Sequence, residues 1–243
     1  MSKISVVIPA HNEEAYIAQC IASVKQAATH VQSSVEIVVC INRCTDKTAD
    51  IAKKLGVIVV EELEANVAKV RNKGLAVATG DILVTLDADS TLSKNYLSEV
   101  ERLVQTGRYI GGASLMVTDK LNVANVVLGV LLVVPSLLLL RFSGGMFWLT
   151  RATYLATGGF DEKYLTGEDF AFWRKLRTLA RFEKRKFGMI TKAYVKTSTR
   201  KMDEFGAWFM LTHPHWFYYA IKGNDQAFAD LYLYKTSRSK KIK

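Results

Sequence analysis

Residues 82–90 read Ile82-Leu83-Val84-Thr85-Leu86-Asp87-Ala88-Asp89-Ser90, an apolar run that ends in two carboxylates one residue apart. An apolar stretch without polar alternation is the pattern of a strand covered on both faces, as in parallel sheets flanked by helices. The pattern recurs upstream. Apolar runs at 4–8, 35–41 and 57–60 alternate with amphipathic segments at 13–27, 46–55, 66–78 and 93–104. This alternation predicts an α/β fold with a mostly parallel central sheet. In such sheets ligands bind beyond the carboxyl ends of the strands, so the residues that follow each strand are the place to look for function.

Those residues are polar in three places. Pro9-Ala10-His11-Asn12-Glu13-Glu14 follows the first strand, Asn42-Arg43-Cys44-Thr45-Asp46-Lys47-Thr48 the second, and Asp87-Ala88-Asp89-Ser90 the fourth. All three clusters are expected along one edge. A sheet that only has to fold needs turn residues there, but not two carboxylates at the end of a buried strand. Carboxylates spaced i, i+2 can converge on one hard divalent cation and leave positions for water and phosphate oxygens. A cation there would neutralise a diphosphate and act as Lewis acid on a leaving oxygen. The alternative is capping, with Asp89 or Ser90 at the start of a helix beginning near residue 93.

Taken in order with later motifs, these clusters resemble the family 2 glycosyltransferases, inverting enzymes of the GT-A fold. Val7-Ile8-Pro9-Ala10-His11-Asn12-Glu13-Glu14 is similar to the family's nucleotide-contacting first loop, and Cys44-Thr45-Asp46-Lys47-Thr48 to its S-T-D-x-T segment. Arg71-Asn72-Lys73-Gly74 is similar to A-R-N-x-G, with Val70 where the family usually has Ala. Ala78-Thr79-Gly80-Asp81 leads into Leu86-Asp87-Ala88-Asp89-Ser90; Gly158-Gly159-Phe160-Asp161-Glu162, Gly167-Glu168-Asp169 and Arg174 follow. The set covers residues 4–180, and its order is more specific than any one motif.

The resemblance implies a Rossmann-like GT-A fold of the nucleotide-diphospho-sugar transferase type, with Mn²⁺ or Mg²⁺ as cofactor. It implies that Pro9, Ala10, Asn12, Glu14, Asn42, Asp46, Arg71, Asp87 and Ala88 hold the donor, and that Asp89, with Asp87, holds the metal. Asp169 would be the general base that deprotonates the acceptor hydroxyl for in-line attack on the anomeric carbon, with Glu168 orienting it or binding acceptor hydroxyls. A sugar hydroxyl is a poor nucleophile, so a positioned carboxylate suits the task independently. The alternative for Glu168-Asp169 is the favourable acidic first turn of a helix over 169–179. Relatives often carry an acidic residue at the tip of the second strand that reads uracil. This chain departs from that with Ile41-Asn42, where Asn42 can still hydrogen-bond a base, which leaves the base open between UDP, the first choice, and GDP. Ser198-Thr199-Arg200-Lys201 resembles a basic segment that closes over the donor diphosphate in many relatives, which suits Arg200 and Lys201 to phosphate. Membership of a general basic face is the other reading. His213, in His213-Pro214-His215, is a candidate third metal ligand, with packing or substrate stacking as the alternative.

Composition limits what else the chain can be. With 243 residues, 49% apolar and 23% charged, it can build a sizeable core and is not disordered over most of its length. Three cysteines without a C-x-x-C pair point to reduced thiols and an intracellular setting, and the apolar run after Lys3 is too short for a secretory leader. Net charge is +10, unevenly placed: residues 174–201 hold eleven Lys/Arg against Glu183, and 235–243 hold five Lys/Arg and no acid. Those stretches sum to +15 and leave −5 elsewhere, which points to an anionic partner met by the C-terminal third. No helix-turn-helix, RRM or zinc-finger signature accompanies the charge, so nucleic acid is not expected. A non-catalytic basic nucleic-acid- or membrane-binding module is the competing class. A sugar-nucleotide pyrophosphorylase is a further one, but its glycine-rich basic loop is replaced here by an acidic loop without glycine.

Residues 121–140 contain no charge and are mostly Leu or Val, just long enough at ~1.5 Å per residue to span a hydrocarbon core. A single crossing would separate Asp87-Ala88-Asp89 from Glu168-Asp169, so the segment is expected to lie in the interface, re-enter, or pack within the protein or a dimer. The +15 of the basic stretches favours an anionic cytoplasmic leaflet, which makes a peripheral or monotopic protein with a sugar or lipid-linked acceptor the expectation. The organisation read from the chain is a nucleotide-sugar half (1–120), a hydrophobic segment (121–143), an acceptor and catalytic half of the same domain (144–222) and a basic tail (223–243), with a homo-oligomer left open.

Overall fold

The computed structural model describes residues 2–120, 127, 142, 144–200, 222–225 and 229. Each apolar run becomes a strand and each amphipathic segment a helix: β1 (Lys3–Ala10), α1 (Ile17–Ala28), β2 (Ser34–Asn42), α2 (Thr48–Lys54), β3 (Ile58–Glu62), α3 (Val67–Val77) and β4 (Ile82–Thr85). Beyond them come β5 (Ser90–Leu92), α4 (Tyr96–Gln105), β6 (Tyr109–Thr118), β7 (Phe147–Thr150), α5 (Arg151–Thr157), α6 (Glu168–Phe182) and β8 (Lys186–Thr197). The eight strands form one sheet in the order β3-β2-β1-β4-β7-β6-β8-β5. β1 to β4 run parallel, β7 enters antiparallel between β4 and β6, β8 runs parallel to β6, and β5 closes the edge antiparallel to β8. The sheet is thus mixed but mostly parallel.

Both faces are covered. Along β1, Ile4, Val6 and Ile8 point into the core shared with α1 and α4, while Val7 points into the core on the other face. Helix α1 buries Ile17, Cys20, Ile21, Val24 and Ala27, one stripe at helical spacing; each large apolar side chain so buried stabilises the fold by about 1.5–3 kcal/mol. The opposite face is aromatic: Phe160 stacks on Phe172 at 4.2 Å between ring centres, and Phe147 meets Phe172 edge-on at 5.4 Å. Helix α3 lies close against β1 because Gly74 carries no side chain; a Cβ there would stand 2.5 Å from Val7 Cγ1. Asn72, two residues before Gly74 and so on another side of the helix, clamps the loop after α5: its Nδ2 donates to Phe160 O and its Oδ1 accepts from Phe160 N–H, both at 2.9 Å.

Two expectations shift. The helix expected from residue 13 begins at Ile17; residues 13–16 form a turn in which Tyr16 N–H reaches Glu13 O at 2.9 Å, while the Glu13 and Glu14 N–H groups reach Thr48 Oγ1 and Asp46 Oδ2. Within the basic stretch, residues 174–182 are the second half of α6 and 186–197 are β8, where Lys192 and Lys196 face outward while Phe187, Ile190, Ala193 and Val195 are buried. Several other cations in it have local partners: Arg185 donates to Tyr109 O at 2.6 Å, Lys175 to Gly159 O at 3.0 Å, and Arg177 lies over the Trp173 ring. Residues 121–140, Lys201 and His213 lie outside the described residues, apart from residue 127. The three cysteines are free thiols, with Cys20 and Cys40 buried.

Candidate active site

β2, β1 and β4 are neighbours, so the loops that leave Asn42, Ala10 and Thr85 meet at one edge of the sheet. α3 sends Arg71 into this edge, where it is almost wholly enclosed. Arg71 Nη2 pairs with Asp87 Oδ1 at 2.8 Å, Nε stands 3.5 Å from Glu168 Oε1, and Nη1 donates to Gly145 O at 3.4 Å. Nε itself has no hydrogen-bond partner. Burial works against the Arg71 charge, but Asp87, Glu168 and Asp169 outweigh it and hold its pKa above the usual range.

The carboxylates feel the same crowding with the opposite sign. Glu168 and Asp169 open α6 directly after Gly167, so the helical first turn read from the sequence and the site are the same place. Burial, then the Asp169 charge, raises the Glu168 carboxyl, and Arg71 only partly opposes this. Burial raises Asp169 as well, again against Arg71. Buried carboxylates with raised proton affinity next to a fixed guanidinium are not the environment of an exposed helical first turn.

Gly145 makes the arrangement possible, and no sequence pattern announced it. A Cβ at Gly145 would stand 2.7 Å from Arg71 Nη2 and 3.6 Å from Asp169 Cβ. Its carbonyl accepts from Thr85 Oγ1 at 2.8 Å, and Thr85 Oγ1 in turn accepts from Phe147 N–H at 2.9 Å.

Beside this cluster lies a second one. β5 pairs with the end of β8, Ser90 opposite Thr197, and Ser198 N–H reaches Asp89 O at 3.3 Å. Arg200 therefore arrives next to the Asp87-Ala88-Asp89 loop. Its guanidinium grips Glu13 with both nitrogens, Nη1 to Oε2 at 2.6 Å and Nη2 to Oε1 at 2.5 Å, and reaches Asp89 Oδ2 at 3.1 Å over the Tyr16 ring. Burial disfavours the Arg200 charge, but Glu13 and Asp89 more than offset it and raise its pKa. Glu13 is a site residue that the sequence did not single out, since nothing in Glu13-Glu14 says which acid turns inward. Glu14 instead accepts from Lys47 N–H at 3.2 Å.

The remaining candidates fall into a ring around these two clusters. Asn12, at φ 51°, accepts from Thr45 N–H at 2.8 Å, and Asp46 Oδ2 accepts from Glu14 N–H at 3.0 Å, so the first two loops are tied to each other. Pro9 and Ala10 end β1, with the Ala10 carbonyl accepting from Cys44 Sγ. Asn42 is buried; its Nδ2 donates to Glu62 O and Glu64 O at 2.6 and 2.7 Å, and its Oδ1 has no partner. Ala88 is packed in the core. Neither Asp89 nor Ser90 caps a helix: β5 intervenes, and α4 begins only at Tyr96.

Asp87 and Asp89 fit a hard divalent ion. They offer carboxylate oxygens, and Asp89 already draws a cation to itself in the form of Arg200. Among the described residues no three His, Cys, Asp or Glu side chains converge as a ready-made cage, so such an ion would complete its shell from phosphate oxygens and water.

Comparison with known proteins identifies the family and the fold. The family described as Glycosyl transferase family 2 matches residues 5–159. Glycosyltransferase GlyA of Streptococcus pneumoniae is 26% identical over 107 residues, 42% of this chain and 15% of that protein. The low-salt glycan biosynthesis hexosyltransferase Agl6 of Haloferax volcanii is 36% identical over 104 residues, 43% of this chain and 25% of its own. The match thus spans a quarter or less of the length of these curated relatives. Among solved structures, S. aureus TarS 1-349 in complex with UDP-GlcNAc superposes with a TM-score of 0.59 at 20% identity, over 80% of this chain and 58% of that one. The mannosyltransferase PcManGT from Pyrobaculum calidifontis, in complex with GDP-Man and Mn²⁺, superposes with a TM-score of 0.61 at 20% identity, over 80% and 56%. These likenesses establish a shared architecture, the GT-A fold expected from the ordered motifs.

Proposed function

This chain belongs to glycosyl transferase family 2, and from that premise we propose that it is an inverting enzyme that moves a sugar from a nucleotide-diphospho-sugar to an acceptor hydroxyl or phosphate. A UDP-sugar is the first choice of donor and a GDP-sugar the second. The observation that carries the reading is the meeting of Asp87, Arg71 and the Glu168-Asp169 pair, from three separate elements, at the carboxyl edge of one sheet. A chain selected only to fold gains little from gathering carboxylates around one buried guanidinium, because desolvating the ions consumes much of their attraction.

The roles follow from the chemistry of each group. The nucleoside lies against Pro9, Ala10 and Asn42, within the loops braced by Asn12, Glu14 and Asp46. Both Asn42 amide hydrogens are spent on backbone carbonyls, so Asn42 Oδ1, enclosed in the donor-free protein, is the acceptor it would offer to an N–H of the base once the loops part to admit it, a donor that uracil and guanine both carry. Asp89 and Asp87 would hold Mn²⁺ or Mg²⁺, which when bound neutralises the diphosphate and polarises the leaving oxygen. Arg200, with Lys201, supplies positive charge to the diphosphate. Asp169 takes the acceptor proton as the hydroxyl oxygen bonds to the anomeric carbon; the bond to the diphosphate oxygen breaks on the opposite face, and the configuration inverts. Burial strengthens Asp169 as a base, and Arg71 keeps it available in the ionised form. Glu168 orients the acceptor.

Membrane contact and a lipid-linked acceptor at the cytoplasmic face belong to the same proposal. No helix among the described residues is long and apolar enough to cross a membrane. β6 and β7, which flank residues 121–140 in the sequence, pair antiparallel in one sheet. The deciding experiment is calorimetric titration with UDP and GDP, with Mn²⁺ or Mg²⁺ and again with EDTA. Metal-dependent binding of one nucleotide, lost in Asp89→Ala, is expected. Absence of binding to either nucleotide under every metal condition overturns the reading.

A further inference from the structure

Both site arginines are enclosed, but they are anchored differently. Arg71 grows from the buried face of a helix whose Asn72 and Gly74 lock it to the rest of the fold. Arg200 lies in the short stretch after β8, fastened by Thr199, whose N–H and Oγ1 both reach Asp119 Oδ1 at 2.9 and 3.0 Å. That clip and the β5–β8 pairing already hold the stretch in place, so the fold does not require Arg200 to turn inward. Yet it does, and it takes two acids at once: Glu13, 5% exposed, by a two-pronged pair, and Asp89, 14% exposed, at 3.1 Å. Tyr16 lies beneath the guanidinium with its ring centre 4.7 Å from Cζ. Asp89 is the same carboxylate to which the donor reading gives the divalent cation. Guanidinium and divalent cation compete for one carboxylate, and the loser needs another anion. The donor's diphosphate is such an anion, and the planar fork of Arg suits phosphate as well as carboxylate.

We propose that Arg200 is an internal counter-ion that fills the cation's place at Asp89 in the donor-free protein, and that it changes partner from Glu13 and Asp89 to the donor diphosphate when nucleotide and divalent cation bind. The proposal rests on the reading of Asp89 as a cation ligand and goes beyond it by making metal and nucleotide binding mutually dependent. Metal alone binds weakly because it must displace Arg200. Nucleotide gives Arg200 somewhere to go and so tightens the metal, and by linkage the metal tightens the nucleotide by the same factor. Glu13 is the resting partner that keeps Arg200 near the site until then.

The test is Mn²⁺ binding to the full chain without nucleotide, followed by the loss of the free-ion electron paramagnetic resonance signal. Arg200→Gln is expected to bind Mn²⁺ alone about tenfold or more tightly than the parent, within the usual span of coupled sites. The gain disappears when Asp89→Asn is added, and UDP or GDP tightens Mn²⁺ less in Arg200→Gln than in the parent. Arg200→Lys keeps the charge but cannot span both acids, so it gives a smaller gain of the same sign. It also serves if the Gln variant does not fold, which thermal melting reports. No gain in either variant overturns the proposal. If metal-dependent nucleotide binding persists alongside that result, the transferase reading stands and only the counter-ion falls. If nucleotide binding is indifferent to metal throughout, both fall together.

Discussion

Glu36 and Glu168 sit at opposite edges of the same sheet, and the fold treats them in opposite ways. At the amino edge, Glu36 accepts from Lys3 Nζ at 2.6 Å, Ser5 Oγ at 2.5 Å and the Thr79 N–H at 2.5 Å. Burial alone would raise its pKa, but these donors outweigh burial and lower it to about 2. At the carboxyl edge, burial and Asp169 push Glu168 up to about 7, while its guanidinium partner is 3.5 Å away and leaves Nε without a hydrogen bond. One edge brings donors to a single acid. The other gathers Asp87, Glu168 and Asp169 around Arg71, so its polar groups remain ready for partners the chain does not itself supply. An edge completed by its own residues is framework, and an edge left short of donors is a site.

Asp169→Asn breaks the comparison most severely. If the carboxyl edge is shaped for proton transfer, kcat falls by about 10²–10⁴-fold, the range for loss of a positioned base. Thermal melting should hold or rise, because a buried charge of raised proton affinity is removed. A variant that loses stability while keeping its rate would mean that Asp169 is framework, like Glu36. The rate is measured with the nucleotide-sugar whose nucleotide binds in calorimetry.

Gly145→Ala is a gentler intrusion at the same edge. The added methyl would stand 2.7 Å from Arg71 Nη2, so the guanidinium must give way, and its 2.8 Å pair with Asp87 is the contact most exposed to the shift. A displacement of this kind is expected to slow transfer by about 10–100-fold through misplacement of the reacting groups. The pH dependence of kcat should move too, since Arg71 is what opposes the raised pKa of both Glu168 and Asp169. An unchanged rate and profile would show that Arg71 is not a positioning residue.

What the sequence disclosed, and what it hid, divides along the same line. β1 to β4 were legible because each is an apolar run between amphipathic helices, and Asp87, Asp89, Arg71, Glu168 and Asp169 because strand ends and ordered motifs mark them. β5, at three residues, is too short to carry a pattern, and β7 lies beyond the alternation of apolar run and amphipathic helix that marks β1 to β4. β8 was hidden by its outward lysines, which made an alternating strand look like a run of charge. Gly145 was invisible because a close approach between distant segments leaves no local pattern. Glu13 was hidden because an acid pair at a turn does not state which member faces Arg200, a partner far along the chain. Contacts within one element or one motif can be read from sequence; contacts that depend on how two loops meet cannot.

The smallest effects give the sharpest form of the comparison, because the two glutamates should bend the pH dependence of stability in opposite directions. For Glu36 the folded pKa, about 2, lies below the reference 4.5. Its contribution is therefore complete above pH 4.5 and is lost as pH falls from there through 2. For Glu168 the folded pKa, about 7, lies above 4.5, so the folded chain holds the extra proton; its contribution is complete below pH 4.5 and is lost as pH rises through 7. Glu36→Gln should cost about 1–3 kcal/mol at neutral pH, the worth of charge-assisted hydrogen bonds, and flatten the acid limb of a denaturant-midpoint profile, with transfer activity unchanged. Glu168→Gln should flatten the decline between pH 4.5 and 7 and hold stability at neutral pH while transfer slows. If both variants flatten the same limb, the two edges do not differ in the way their hydrogen bonds and charges require, and the assignment of Glu168 to the site loses its physical basis.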